Sequence, residues 1–181
     1  MEKVTYSRRE ILGGLALGAL AVPWARKLTS RSAARKLTVY VGTYTNGSSE
    51  GIYTCALELT SGELSLVGTT KGVVNPSFLA IDQKGQRLYA VNETDEFQGA
   101  KSGAVSAFSI DPQTGALAFL NQQPSAGASP CHLAIDAREK FLFVANYNGG
   151  NVSVFPLDAA GLGKATATVQ HHGKRDRKSV V

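Results

Sequence analysis

Pro76-Ser77-Phe78-Leu79-Ala80-Ile81-Asp82 runs on to Leu88-Tyr89-Ala90-Val91-Asn92, and fifty-four positions later Pro130-Cys131-His132-Leu133-Ala134-Ile135-Asp136 runs on to Leu142-Phe143-Val144-Ala145-Asn146. Aligned without a gap from Pro76 to Asn92, the two stretches share seven identical residues and keep much of the apolar pattern elsewhere. A chain that repeats itself in this way is built from stacked copies of one unit.

The repeat continues beyond these blocks. Val105-Ser106-Ala107-Phe108-Ser109-Ile110-Asp111 is echoed by Val152-Ser153-Val154-Phe155-Pro156-Leu157-Asp158, and more faintly upstream by Ile52-Tyr53-Thr54-Cys55-Ala56-Leu57-Glu58. Turn-forming clusters separate the apolar runs: Leu59-Thr60-Ser61-Gly62, Gln83-Lys84-Gly85-Gln86, Asp111-Pro112-Gln113-Thr114-Gly115 and Asn148-Gly149-Gly150. Short runs of Val, Tyr, Phe, Ile and Leu between such turns read as strands, and no helical spacing is sustained after the N-terminus. Each copy is expected to hold antiparallel strands in the order A, B, C, D. In copy two these are 76–82, 87–92, 103–110 and 116–123; in copy three, 130–136, 140–146, 151–157 and about 165–170. Copy one has only B (37–44), C (51–58) and D (63–70). Four short strands in each 40–50 residue period predict an incomplete all-β propeller of four-stranded antiparallel blades. Ungapped identity across two whole strands argues against a β-sandwich whose strands are alike by chance.

The formal charge of +5 is concentrated at the ends. Residues 1–36 carry a net +6 and residues 171–181 a net +3, which leaves 37–170 at −4. A phosphate-backbone interface must be basic where the fold is, so nucleic acid is not an expected partner. Ser7-Arg8-Arg9-Glu10-Ile11-Leu12, followed by fifteen uncharged residues from Ile11 to Ala25, resembles a twin-arginine export signal. Fifteen residues fall short of the ~20 that span a bilayer. Residues 1–36 are therefore expected to be signal peptide and linker, with Ala19-Leu20-Ala21 and Ser32-Ala33-Ala34 as alternative cleavage sites. The product is expected to be periplasmic or exported, with no stable membrane insertion after cleavage. Cys55 and Cys131 fall in different copies and are expected to be unpaired, small buried apolar residues. Beyond residue 172 the strand pattern stops, and 173–181 is expected to be a non-native or disordered tail. Its last six residues, Asp176 to Val181, are what GAT CGG AAG AGC GTC GTG encodes, a string found in a common sequencing-library adapter.

The blocks Val39-Tyr40-Val41-Gly42-Thr43-Tyr44-Thr45, Asn75-Pro76-Ser77-Phe78-Leu79-Ala80, Leu88-Tyr89-Ala90-Val91-Asn92-Glu93, Pro130-Cys131-His132-Leu133 and Phe143 to Phe155 come in an order that resembles the lactonase family of seven-bladed propellers. That family includes bacterial 6-phosphogluconolactonase and a carboxymuconate-lactonizing enzyme, and the resemblance covers about residues 37–172. It implies seven blades and lactone hydrolysis. Eleven strands are expected here against the 28 of seven four-stranded blades, so about three blades with open faces are expected. The resemblance also implies a later His-rich, Arg-containing segment after the third blade.

In an antiparallel blade the start of A and the end of B lie on one face of the disc. That face gathers Ser77, Phe78, Asn92, Glu93, Cys131, His132, Asn146, Tyr147 and Tyr44. Opening a lactone takes a base to activate water and donors for the carbonyl oxygen as it becomes an oxyanion. His132 and Glu93 are the expected catalytic pair, since imidazole titrates near neutrality and Glu93 is the one carboxylate of this rim outside a turn. Tyr44, Asn92, Asn146 and Tyr147 are the expected substrate contacts, although the recurrence of Asn92 and Asn146 equally suits a structural cap on the B–C loop. Asp82 and Asp136 precede turns in both copies and read as structural. His171-His172 face opposite ways on a strand and have no third ligand at useful spacing, so no metal and no cofactor is expected. His132 stands out because its equivalent in the other copy is Phe78.

Two functions follow. One is hydrolysis of a small sugar lactone by the full-length family member, with these 181 residues inactive alone. The alternative is a non-enzymatic exported propeller that binds a protein or glycan partner on its rim. No oligomeric state is implied by either.

Overall fold

The computed structural model describes residues 36–173. The expected export signal and the tail after Gly173 lie outside the described residues. Three antiparallel sheets follow one another along the chain, and there is no helix among the described residues. Blade 1 holds β1 (Lys36–Val41), β2 (Gly51–Glu58) and β3 (Leu64–Lys71). Blade 2 holds β4 (Leu79–Ile81), β5 (Arg87–Asn92), β6 (Ala104–Ile110) and β7 (Leu117–Pro124), paired in that order. Blade 3 holds β8 (Pro130–Ile135), β9 (Phe141–Asn146), β10 (Asn151–Asp158), β11 (Gly161–Leu162) and β12 (Ala167–Gln170). Among the described residues blade 1 has no A strand, in line with its sequence.

Strand register aligns the blades. Val39 faces Cys55, Leu88 faces Phe108 and Leu142 faces Phe155 across successive B–C pairs. Side chains alternate between faces along a strand, so the residues next to these point the other way: Tyr40, Tyr89 and Phe143. Blade 2 is covered on both sides. Leu88, Ala90 and Phe108 pack with Ile52 and Val73 of blade 1, while Tyr89, Val91, Val105 and Ala107 pack with Leu133, Leu142, Val144, Phe155 and Leu162 of blade 3. This explains why β5 reads as an unbroken apolar run and not an alternating one. On blade 3 the outward face has no such cover: Phe143 is 41% exposed where Tyr89 is 1% exposed.

Three strands depart from expectation. The B strand of blade 1 ends at Val41, not at residue 44, so Tyr44 stands in the loop that follows it. The A strand of blade 2 begins at Leu79, not at residue 76, because Asn75 adopts a positive φ of 41° and Ser77 N donates back to Asn75 O at 2.8 Å, which keeps the lead-in out of the ladder. The D strand of blade 3 is split into β11 and β12. In blades 1 and 2 the C–D pairing slips at equivalent places, between Thr54 and Cys55 and between Ala107 and Phe108, each a β-bulge. Blade 3 carries Pro156 just beyond that place. Leu157 N donates to Lys140 O on the β9 side, so the Pro156 nitrogen faces the D strand, where it has no hydrogen to give. The ladder stops there, and β10 is flanked by β11 beyond the gap and β12 before it.

Blade-to-blade joints are polar as well as apolar. The Tyr40 hydroxyl donates to Gly115 O at 2.7 Å, from a B strand to the C–D turn of the next blade. Arg87 repeats the gesture, donating through Nη1 to Asp158 O and through Nη2 to Ala159 O at 2.9 Å. Asn121 Nδ2 donates to Leu162 O at 2.8 Å and Asn121 Oδ1 accepts from Leu162 N at 3.0 Å, which seats the short β11 against blade 2. At Gly42 a Cβ would lie 2.0 Å from Pro76 O, so only glycine lets blades 1 and 2 approach this closely.

Candidate active site

Asn75 builds the site. Its carbonyl accepts from Ser77 N at 2.8 Å and Glu93 N at 3.0 Å, while its side chain takes Thr45 N at 2.8 Å and gives Nδ2 to Glu93 O at 3.1 Å. One residue thereby ties the β1–β2 loop of blade 1, the entry to β4 and the end of β5 together. Asparagine suits the position because its short polar side chain tolerates left-handed backbone. The same construction recurs fifty-four residues on: Ser129 also sits before a proline at a positive φ of 53°, and its carbonyl accepts from Tyr147 N at 2.8 Å.

Held by this knot, three side chains converge. Tyr44 donates its hydroxyl to Glu93 Oε2 at 2.8 Å, and Ser77 Oγ donates to the same oxygen at 2.5 Å. Both donors fall on Oε2, which leaves Oε1 as the acceptor open to a water. Hydrogen bonding to Glu93, then burial and the carboxylate charge, push the Tyr44 phenol above its ordinary range, so it remains a neutral donor at physiological pH. Beside Ser77, the Phe78 ring lies 4.4 Å from the His132 ring, tilted by 46°. His132 is exposed and Cys131 half-buried. A bulge opposite Asn146 and Ala145 explains both: the extra residue, Cys131, lifts the start of β8 out of strict register. Cys131 is thus not the buried apolar residue expected of it, though both cysteines are free.

The expected residues divide. Tyr44 and Glu93 are in direct contact, and His132 joins them through Phe78 and Ser77. Asn92 and Asn146 do not reach the rim, which corrects their expected role as substrate contacts. Both are buried, at 3% and 2% exposure, with their amides spent on the framework. Asn92 Nδ2 donates to Val74 O at 2.8 Å, and Asn146 Nδ2 to Ser125 O at 3.0 Å, each closing the preceding D–A loop onto the B strand. Tyr147 is exposed on the same face as Tyr44. Next to it lies a group with no signal in the repeat: Asp95 Oδ1 accepts from Ser129 Oγ at 2.5 Å and Asn148 Nδ2 at 3.0 Å. Those hydrogen bonds, Ser129 first, hold the Asp95 carboxyl below the usual carboxylate range. Asn75 carries no expected role in the sequence, although Asn-Pro is a turn signal, and Ser77, expected on this rim, is given no role there although it stands where the other copy has Cys131. Asp82 and Asp136 cap their A–B turns, accepting from Gln86 N and Arg87 N and from Lys140 N and Phe141 N. Among the described residues no three His, Cys, Asp or Glu side chains are grouped to hold a metal ion.

Comparison with known proteins agrees with this architecture. A family model described as lactonase, 7-bladed beta-propeller, matches residues 38–180. The 6-phosphogluconolactonase of Bacillus subtilis (strain 168) is 38% identical over 136 residues, covering 75% of this chain and 38% of that protein. The 6-phosphogluconolactonase of Formosa agariphila is 35% identical over 124 residues, covering 68% of this chain and 34% of that protein. Among solved structures, the periplasmic gluconolactonase of Pseudomonas aeruginosa superposes with a TM-score of 0.69 at 29% identity, over 76% of this chain and 39% of that one. A Bacteroides fragilis protein provisionally assigned as a 6-phosphogluconolactonase superposes with a TM-score of 0.73 at 37% identity, over 82% of this chain and 40% of that one. The chain thus spans about two fifths of the length of the relatives it matches. Three repeated blades, the inter-blade knot at Asn75 and the family match over 38–180 together place the chain in the lactonase family of seven-bladed β-propellers.

Proposed function

We propose that this segment supplies part of the active-site rim of a sugar-lactone hydrolase, acting on a gluconolactone or its 6-phosphate within a complete propeller. The observation that carries the reading is the convergence of Tyr44 and Ser77, from different blades, on one oxygen of Glu93. Glu93 Oε1 takes a proton from the attacking water as its oxygen bonds to the lactone carbonyl carbon. The resulting tetrahedral oxyanion collapses with cleavage of the ring C–O bond, His132 gives a proton to the departing alkoxide, and the proton taken by Glu93 passes through solvent to restore His132. Phe78 orients the imidazole for that step, and the exposed Tyr147 offers an aromatic face to the sugar ring. Anchoring Oε2 with two hydroxyls fixes the direction of the Oε1 lone pairs, which is where positioned general bases gain their advantage.

A chimera tests this. Residues 38–172 replace the matching stretch of the Bacillus subtilis enzyme, and hydrolysis of δ-gluconolactone and its 6-phosphate is followed. Glu93→Gln is expected to lower kcat by about 10²-fold or more. Full activity of a folded Glu93→Gln chimera overturns the assignment, and a chimera that folds without hydrolysing either lactone favours a binding role for the rim.

Export by the twin-arginine route belongs to the same reading, supported by Ser7-Arg8-Arg9 and its uncharged run. The Pseudomonas relative is described as periplasmic. A reporter fused after Ala34 is expected to reach the periplasm, and Arg8→Lys with Arg9→Lys to hold it in the cytoplasm. Equal export of both fusions overturns this part.

A further inference from the structure

The face opposite the Glu93 rim carries a second site. Four of the eight Lys and Arg residues in 36–173, namely Lys84, Arg87, Arg138 and Lys140, line one hollow of about 310 Å³ between the A–B turns of blades 2 and 3. This clustering runs against the charge of the fold, which is net negative over 37–170. The carboxylates that share the hollow are already committed to backbone. Asp82 Oδ1 caps Gln86 N at 2.7 Å, Asp158 Oδ1 caps Ala160 N at 2.7 Å, and Glu139 Oε1 takes Gln83 N. None forms an ion pair with the four cations: among the described residues the one salt bridge is Lys71–Glu50, on blade 1.

Arg87 is the fixed member, its guanidinium anchored on the carbonyls of Asp158 and Ala159. Tyr89 forms part of the lining, its ring buried in the blade 2–3 core. Lys84, Arg138 and Lys140 are exposed around the mouth. Converging N–H donors with a planar guanidinium at the base suit a compact oxyanion, for which arginine gives directional hydrogen bonds and lysine adaptable point charges.

We propose that this hollow binds a phosphate-type oxyanion, as inorganic phosphate or a phosphate monoester, at a site separate from the Glu93 rim. The proposal does not depend on lactone hydrolysis. Inorganic phosphate is titrated into the purified full chain by calorimetry and by phosphorus NMR line width, with sodium chloride at matched ionic strength as the control. A phosphate monoester in a parallel titration separates the two sources, tighter binding of the ester identifying it as the preferred ligand. The Lys84→Ala, Arg138→Ala, Lys140→Ala triple variant is expected to lose about tenfold or more in affinity, and Lys71→Ala none. Lys84→Gln and Arg138→Gln, taken singly, keep the turns and are expected to lose about threefold each. Binding that survives in the triple variant, single variants that match wild type, or a signal that chloride reproduces overturns the proposal.

Discussion

Asn92 and Asn146 occupy the same place in successive blades, yet only Asn92 has its side-chain oxygen satisfied. Asn92 Oδ1 accepts from Ser106 Oγ at 2.7 Å and from Gln122 Nε2 at 3.0 Å. In blade 3 Ser153 pairs with Thr168 where Ser106 pairs with Gln122, and Asn146 Oδ1 is left buried without a partner. Thr168→Gln restores the missing amide donor and is expected to stabilise the chain by about 1 kcal/mol. A urea midpoint raised at unchanged m value is the expected result. Asn92→Ala, which strips a satisfied network, is expected to cost about 1–3 kcal/mol.

Asn75 holds residues of both blades through backbone that favours asparagine. Asn75→Ala removes the side-chain bonds to Thr45 and Glu93 at a strained φ and is expected to destabilise by about 2 kcal/mol. Amide hydrogen exchange at Thr45 and Glu93 is expected to speed up while the core of β5 stays protected. Unchanged exchange at Thr45 contradicts the assignment.

Gly103 admits no side chain. An added Cβ would lie 2.2 Å from Pro130 Cδ and 2.7 Å from Asn92 O. Gly103→Ala is expected to push β8 away from blade 2 and to cost about 2–3 kcal/mol, read from thermal denaturation.

The Tyr44 phenol titrates above its ordinary range chiefly because it donates to Glu93. The sign follows from linkage: the tie is fully present below the ordinary tyrosine value of about 10 and is lost as pH rises through the higher folded value. Glu93→Ala is expected to lower the Tyr44 midpoint toward the ordinary value, since it removes the first of the causes that raise it. Phenolate absorbance, taken as the difference from Tyr44→Phe, measures it, and an unmoved midpoint refutes the contact.

Phe141 and Phe143 are 43% and 41% exposed on the outward face of blade 3, with Leu37, Val41 and Leu66 exposed on blade 1. Contiguous apolar surface drives association. Phe143→Gln is expected to lower light scattering of the isolated chain, while Tyr89→Gln, at the buried equivalent, is expected to unfold it. The chain alone is expected to show no turnover of δ-gluconolactone above a His132→Ala control.

Strand positions could be read from the repeat because each is local: a run of apolar residues, a turn, and a second copy to confirm both. The bounds of β5, at Arg87–Asn92, were correct to the residue. The split of β11 from β12 was not foreseen, since it depends on which side of β10 the Pro156 nitrogen faces. At the site, recurrence identified Asn92 and Asn146 as framework more reliably than as substrate contacts. Ser77 and Asn75 escaped because their significance lies in partners 16 and 18 residues ahead, brought close only by the β4–β5 hairpin. The Tyr44–Glu93 contact spans 49 residues and two sheets, which no local pattern encodes.

The joints from Tyr40 to Gly115 and from Arg87 to Asp158 and Ala159 both run from a B strand to the C–D turn of the following blade. In both of these joints the preceding blade donates and the following blade accepts, which gives this contact a direction along the stack. A contact between copies that repeats these joints is heterologous, and heterologous contacts close into rings or run on as filaments. Copies of this chain that repeat these joints across their open faces therefore stack head to tail, and such assembly would show as a ladder of sizes, whereas pairing of one open face with itself would stop at two.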